Sequence, residues 1–290
     1  MRRLPRALAI LLALALVLVA CGGEDTTETT QAPDSAATTV AATPTETTVG
    51  TTDTTEAMME FAGTIRFGAA VSDTGRFARE GQDTRQGYDL WAQWLNEEYG
   101  GIKVGDDHYL AEIVYYDDEG DSDTAANLVE RLITEDEVDF LLGPYSSGLT
   151  MSTSAIAEKY NVIMVEGNGA SETIFERGFK NIFAVLTPAG NYTQSALKAL
   201  ADAGAKTVVI AYEDTAFPTS VAAGAEKWAV EYGMTVLASE TYPLEVADVS
   251  SIITTFKALD PDVFVGGGHF NDALLFVRAA KEQTGHPMPW

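Results

Sequence analysis

Cysteine is almost absent from this chain of 290 residues. The one copy, Cys21, excludes an internal disulfide, and with no C-x-x-C pair and no Cys/His cluster the local motifs of a zinc site are missing. Histidine is nearly as scarce. His108, His269 and His286 stand far apart, so a His-based triad or metal centre would have to be assembled by the fold alone, and neither a metal nor a cofactor is expected. Positive charge is the third shortage: 18 Lys and Arg face 43 Asp and Glu, for a net charge of −25. A surface of that sign repels phosphate backbones and anionic lipid, which argues against nucleic-acid binding and against polybasic membrane attachment. Core material is not in short supply. Hydrophobic residues make up 46% of the chain, and its length suits one or two domains.

Arg2, Arg3 and Arg6 precede an apolar run at residues 7–20. About 14 residues are too few to cross a hydrocarbon core of roughly 30 Å as a helix, so charged start and short apolar stretch together read as an export signal over residues 1–20. Its end, Leu18-Val19-Ala20-Cys21-Gly22, resembles the bacterial lipobox, and that match implies a diacylated Cys21 at the mature N-terminus. Two acyl chains anchor stably where one is marginal. An ordinary cysteine behind a conventional signal peptide is the plainer alternative. From residue 22 to 60 the chain is rich in Thr, Ala and acids, without Lys, Arg or apolar period, as expected of a disordered tether on the outer face of a membrane. At 39 residues its reach is roughly 35 Å by square-root scaling.

Beyond residue 61, short β-rich runs alternate with helical ones. Residues 65–71, 110–116, 138–142, 162–165, 182–186, 207–212, 235–241 and 263–265 read as strands, several apolar almost throughout and therefore buried on both faces. Residues 82–99 carry Leu90, Trp91, Trp94 and Leu95 at helical spacing and end at Gly100-Gly101; both tryptophans are expected in the core. Ser122 or Asp121 and, later, Asp248 are candidate caps of further helices. The recurrence of strand, helix, strand predicts an α/β fold with mostly parallel sheet, whose functional loops sit at the carboxyl ends of the strands. Those loops are residues 72–81, 117–123, 143–148, 166–171, 213–218 and 266–271. Glycine-freed amides, hydroxyls and helix N-termini there suit a carboxylate.

An ordered set of segments then carries a family resemblance: Ile65-Arg66-Phe67-Gly68 into Asp73-Thr74-Gly75, Gly81-Gln82-Asp83, Tyr116-Asp117-Asp118, Gly143-Pro144-Tyr145-Ser146-Ser147-Gly148, Gly169-Ala170-Ser171, Arg177-Gly178-Phe179-Lys180-Asn181-Ile182-Phe183 and Asp262-Val263-Phe264-Val265-Gly266-Gly267. In this order the chain resembles the branched-chain amino-acid (leucine/isoleucine/valine) substrate-binding proteins of ABC transporters, from residue 63 onward. The resemblance implies a type I periplasmic-binding fold, with two Rossmann-like lobes clasping a solute: residues 63–186 as the first lobe and 187–290 as the second. The second lobe and the return crossover are expected to be incomplete. It also implies a monomeric, noncatalytic receptor that hands a small polar solute, an amino acid by preference, to ABC permease subunits, held to the membrane by lipid alone. By position, Ser147 and the amides around Ser146 would hold the solute carboxylate, helped by backbone at Gly167, Asn168 and Gly169. Phe217 would cover the solute from the second lobe, His269 follows a strand that supplies another contact there, and Arg79 and Glu80 lie where a first-lobe aromatic is missing. The family's ammonium-gripping acid would fall beyond Trp290.

Plainer readings stand beside these. Ser146-Ser147 could simply cap the next helix, Phe217 could pack between lobes, and His269 could be a satisfied polar residue. Residues 167–171 match neither a nucleophile elbow nor a dinucleotide fingerprint. Asp117, Asp118, Glu119, Asp121 and Asp123 lack EF-hand spacing and read as a solvated loop plus helix cap. Two rival functions remain: the ligand-binding part of a sensor system, and an α/β hydrolase, for which no activated nucleophile is in evidence.

Overall fold

Strand β1, Gly63–Val71, shows how the first half of the molecule is built. Its side chains alternate between two faces, so Phe67, Ala69 and Val71 pack with Leu95 and Leu142 on one side while Ala70 packs with Val129, Leu132, Leu141 and Met164 on the other. A strand buried on both faces has no polar side to show, and β1 accordingly lies inside the sheet. The computed structural model describes residues 60–284. Within them β1 is followed by α1 (Ala78–Trp94), β2 (Ile102–Val104), β3 (Asp107–Asp117), α2 (Ser122–Thr134), β4 (Phe140–Leu142), α3 (Ser147–Tyr160), β5 (Met164–Glu166) and β6 (Ile182–Ala184). The sheet order is β2-β3-β1-β4-β5-β6, parallel except for β2, which pairs antiparallel with β3 at the edge.

The second sheet follows α4 (Gln194–Asp202) and is made by β7 (Thr207–Glu213), β8 (Thr235–Tyr242) and β9 (Val263–Gly267), with α5 (Ala216–Glu231), α6 (Ser250–Leu259) and α7 (Phe270–Thr284) between and after them. Its order is β8-β7-β9, all parallel. Again the central strand is double-sided: Val208 and Ile210 meet Ala225 and Trp228 of α5, whereas Val209 and Ala211 meet Ile253 and Phe256 of α6. The expected α/β class with parallel sheets is what forms, and each of the eight expected strands is present within a few residues of its expected bounds. The hairpin strand β2, three residues long, was not among them.

Two expectations about α1 need correction. Its inward stripe runs through Thr84, Tyr88, Trp91 and Leu95, with the Trp91 ring edge-on to Phe67 at 5.1 Å. Leu90 and Trp94 fall outside that stripe and are 67% and 50% exposed, Trp94 resting on Tyr99 instead of the core. The helix passes into a π-helical turn, Leu95–Tyr99, and stops where Gly100 adopts φ 85°, the left-handed geometry expected of its terminator. Asp121 caps α2 by accepting from the Thr124 amide at 2.8 Å. Asp248 accepts from the Ser250 amide at 2.8 Å just ahead of α6, whose N-cap position is Val249.

Glu119, Asp121 and Asp123 are exposed, as expected of a solvated loop with a helix cap, but Asp117 and Asp118 turn inward. Asp117 accepts from the amides of Asp73, Thr74 and Glu119, and the fully buried Asp118 accepts from the Ser72 hydroxyl at 2.5 Å and the Gly120 amide at 2.9 Å. These carboxylates tie the β1 and β3 loops together by satisfying backbone donors. Among the described residues no group of three or more His, Cys, Asp or Glu is placed to hold a metal ion, and no helix is long and apolar enough to cross a membrane.

Candidate functional site

A parallel strand delivers its loop at its carboxyl end, and here the loops after β1, β4 and β5 of the first sheet converge on those after β7 and β9 of the second. Between them lies a cavity of about 510 Å³. Ser146 and Ser147 border it where α3 begins, Gly167 and Asn168 where β5 ends, and Phe217, His269 and Glu80 complete the expected set around it. Of the residues expected at the site and described here, only Gly169 does not line the cavity. Cys21 lies outside the described residues.

Ser146 occupies the N-cap position of α3, but its side chain makes no capping bond. The first amides of a helix have no intrahelical acceptor, so the start of α3 offers donors to an anion at this wall. The Ser147 hydroxyl accepts from the Ser171 amide at 3.0 Å, which aligns the β5 loop beside α3 and leaves the hydroxyl proton free to donate. Of the backbone expected to face a solute, Gly167 lines the cavity, whereas the amides of Asn168 and Gly169 both donate to Glu166 Oε1 at 2.6 Å, behind the wall. Glu166 is fully buried, and its Oε2 accepts from the Thr150 hydroxyl at 2.8 Å. Burial pushes its carboxyl up to about 7, against the downward pull of the Gly169 and Asn168 amides, the Thr150 hydroxyl and the Gly167 amide. Gly143 of the β4 loop passes so close that a Cβ there would sit 1.9 Å from Glu166 Oε2, so a side chain at that position would displace the buried carboxylate.

The opposite wall is built from side chains. His269, 7% exposed, lies 2.6 Å through Nδ1 from the Tyr145 hydroxyl of the first sheet, and its ring is bordered by Phe77 at 4.9 Å and Phe217 at 5.7 Å. Burial, with the Arg76 charge second, pushes the imidazole down to about 4, so it is neutral at pH 7. Arg76, from the β1 loop, forms an ion pair with Glu213 at the end of β7; the two side chains are 18% and 0% exposed. Glu213 Oε1 also lies 3.9 Å from His269 Nε2. At the rim Glu80 Oε1 accepts from the Phe270 amide at 3.3 Å, while the Arg79 guanidinium stacks 4.2 Å from the Phe270 ring. Polar groups at the centre of the cleft are therefore largely paired with one another, and the aromatic faces of Tyr145, Tyr192 and Phe217 remain for an apolar body.

Sequence reasoning named the loops that carry Tyr145, Arg76, Glu213 and Glu166 but assigned none of the four a part in the site. The position of each at a strand's carboxyl end was the available signal. Their pairing was not, because Arg76 and Glu213 are 137 residues apart in the chain.

This arrangement has known counterparts. A family model described as periplasmic binding protein matches residues 64–288. The chain belongs to that family. The fold is the type I periplasmic-binding architecture, and the two sheets are the centres of its two lobes. Leu/Ile/Val-binding protein homolog 7 of Brucella abortus is 26% identical over 229 residues, which are 75% of this chain and 55% of that relative. The chain thus spans about half the length of the curated relatives it matches. Among solved structures, the branched-chain amino acid transporter substrate-binding protein of Streptococcus pneumoniae in complex with isoleucine is 25% identical with a TM-score of 0.63, covering 76% of this chain and 62% of its own. A solute-binding protein of an R. palustris ABC transporter in complex with 4-hydroxybenzoate is 25% identical with a TM-score of 0.68, covering 77% and 58%.

Proposed function

We propose that this protein is an extracytoplasmic solute receptor of an ABC importer, which encloses a small carboxylate-bearing solute between its lobes and delivers it to the permease. The observation that carries the reading is the asymmetry of the cavity: helix-start amides and serine hydroxyls on one wall, aromatic faces on the other, and one acid, Glu80, at the rim. An amino acid fits all three, its carboxylate at Ser146 and Ser147, its side chain against Phe217 and its ammonium toward Glu80. The aromatic lining supports a second solute class, the aromatic acids, which would use the first two features and leave Glu80 idle.

Noncatalytic capture is part of the same reading, as is a monomer held outside the cell by acylated Cys21, with residues 22–60 as its tether. A Cys21→Ser protein released from the membrane fraction would support the anchor; one still retained there would count against it. The first test of the receptor is a thermal-shift screen with L-leucine, L-isoleucine, 4-hydroxybenzoate and a neutral sugar. Ligand at a hundred times its Kd stabilises by about 2.7 kcal/mol, enough to raise the melting temperature by a few degrees. A response to a carboxylate and none to the sugar supports the reading, and a response to the sugar alone ends it. Uptake lost in a deletion strain favours transport, whereas unchanged uptake favours the sensor alternative.

A further inference from the structure

Glu166 is the one fully buried acid beside the cavity that has no cationic partner among the described residues. Its surroundings come from several elements. The amides of Asn168 and Gly169 follow it on its own loop, α3 contributes the Thr150 hydroxyl and β4 contributes the Gly143 backbone. From α1 comes Tyr88, whose hydroxyl donates to the Gly143 carbonyl at 2.6 Å and accepts from Asn168 Nδ2 at 3.3 Å. Tyr88 is the titratable group facing Glu166, and its own ionisation is pushed up by burial first and by the Glu166 charge second. Both side chains thus resist carrying a second negative charge in the same pocket.

Thr150 joins this buried acid to the cavity wall. Its hydroxyl lies 2.8 Å from Glu166 Oε2 and 2.9 Å from the Ser146 carbonyl, and it has one proton to give. When Glu166 is ionised, Thr150 donates to it. When Glu166 is protonated, the acid O–H donates to Thr150 Oγ1, and the Thr150 proton turns to the Ser146 carbonyl at the start of α3. The two amide bonds to Oε1 survive in either state. Protonation therefore keeps the loop in place while removing a negative charge from behind the wall that would receive a carboxylate.

We propose that Glu166 sets the affinity of this cleft for an anionic solute by taking up a proton as the solute carboxylate binds. The inference rests on the carboxylate reading of the cavity given above. Two like charges across a buried loop oppose each other, so the bound solute favours the neutral acid, and by linkage the neutral acid favours the solute. The pull of burial on Glu166, up to about 7, puts its proton exchange near neutral pH, where such coupling has an effect.

The test uses the full-length protein in two arms. In the first, amide resonances of Asn168 and Gly169 in ¹⁵N-labelled protein are followed between about pH 5.5 and about pH 8.5. They are expected to titrate together with a midpoint near 7, and to lose that titration in E166Q. In the second, affinities for L-isoleucine and 4-hydroxybenzoate are measured by calorimetry over the same range in buffers of different ionisation enthalpy. The affinity of a solute that binds is expected to rise as pH falls, up to about tenfold for one pKa unit of coupling, with proton uptake on binding. E166Q should bind at all pH values as the wild type does at the acidic end. Thr150→Val, which removes one hydrogen bond to the ionised acid, should move both midpoints to higher pH together, and it keeps the test open if E166Q folds poorly. Amides that do not titrate overturn the proposal, as does a pH-dependent affinity that persists in E166Q or a flat one in the wild type. If neither solute binds at any pH, the carboxylate reading and the coupling fall together, while the amide titration still reports whether Glu166 exchanges its proton.

Discussion

Glu166 and Glu213 are both fully buried at the carboxyl ends of β-strands, yet their charges are met by opposite means. Glu166 is satisfied inside the first lobe by neutral donors: two amides and a hydroxyl. Glu213 is satisfied by Arg76 from across the cleft, and its Oε1 also accepts from the Thr215 hydroxyl at 2.7 Å. The first arrangement lies within one lobe, and the second joins residues of both. A buried acid closed in by its own loop is thus a candidate proton site, and one closed in by the opposite lobe is a latch.

The largest expected effect breaks the latch. Arg76→Ala leaves Glu213 buried without its cation and should cost about 3–5 kcal/mol of stability in the closed form, read by urea denaturation together with an increased radius in small-angle scattering. The double variant R76M/E213L should recover most of the loss, because buried ion pairs replaced by apolar groups of similar size are often neutral. Arg76 Nη1 is already buried without a partner, which favours that recovery. If R76A is neutral, the lobes are not held by this pair.

On the Glu166 side the comparison is sharpened by pH. The folded carboxyl lies near 7 against an ordinary 4.5, so between those values the folded chain holds a proton the unfolded chain has released. The stabilising contribution is complete below about 4.5 and is lost as pH rises through about 7. From pH 5 to pH 8, wild type should lose on the order of 2–3 kcal/mol relative to E166Q in paired denaturation curves. Parallel curves would remove the raised carboxyl. Phe217→Ala should weaken the solute by about 2 kcal/mol, roughly thirtyfold, with little change in melting temperature. A loss of melting temperature without a loss of affinity would return Phe217 to interlobe packing. Glu80→Gln is expected to cost an amino acid about 1.5 kcal/mol of binding and an aromatic acid almost nothing, so titration with both solutes separates the two classes. Tyr145→Phe, which removes only the hydroxyl on His269, should cost about 1 kcal/mol of stability at neutral pH.

How far the residues themselves announced this site varies along the cleft. Ser146, Ser147, Gly167, Asn168, Phe217, His269 and Glu80 all border the cavity; a parallel strand presents its loop at a known end, which marked the loops, and the family resemblance singled out the residues within them. What those groups do there was less legible. The amides of Asn168 and Gly169 looked available for a carboxylate, yet both are spent on Glu166, whose burial depends on α1, α3 and β4 closing over it. Trp94 has the spacing of a core residue but lies off the stripe that faces β1, and only the helix's rotation on the sheet decides which spacing is buried.

By itself the sequence determined the alternation of strand and helix, the parallel sheets and the ends of the strands where a site could form. Hydrophobic period, caps and glycine terminators are local properties, readable within a dozen residues. Tertiary structure alone decided which acid meets Arg76, which amides are already taken, and that Tyr145 closes on His269, residues 124 apart in the chain. Such pairings rest on desolvation and distance, which arise only when remote segments exclude water together.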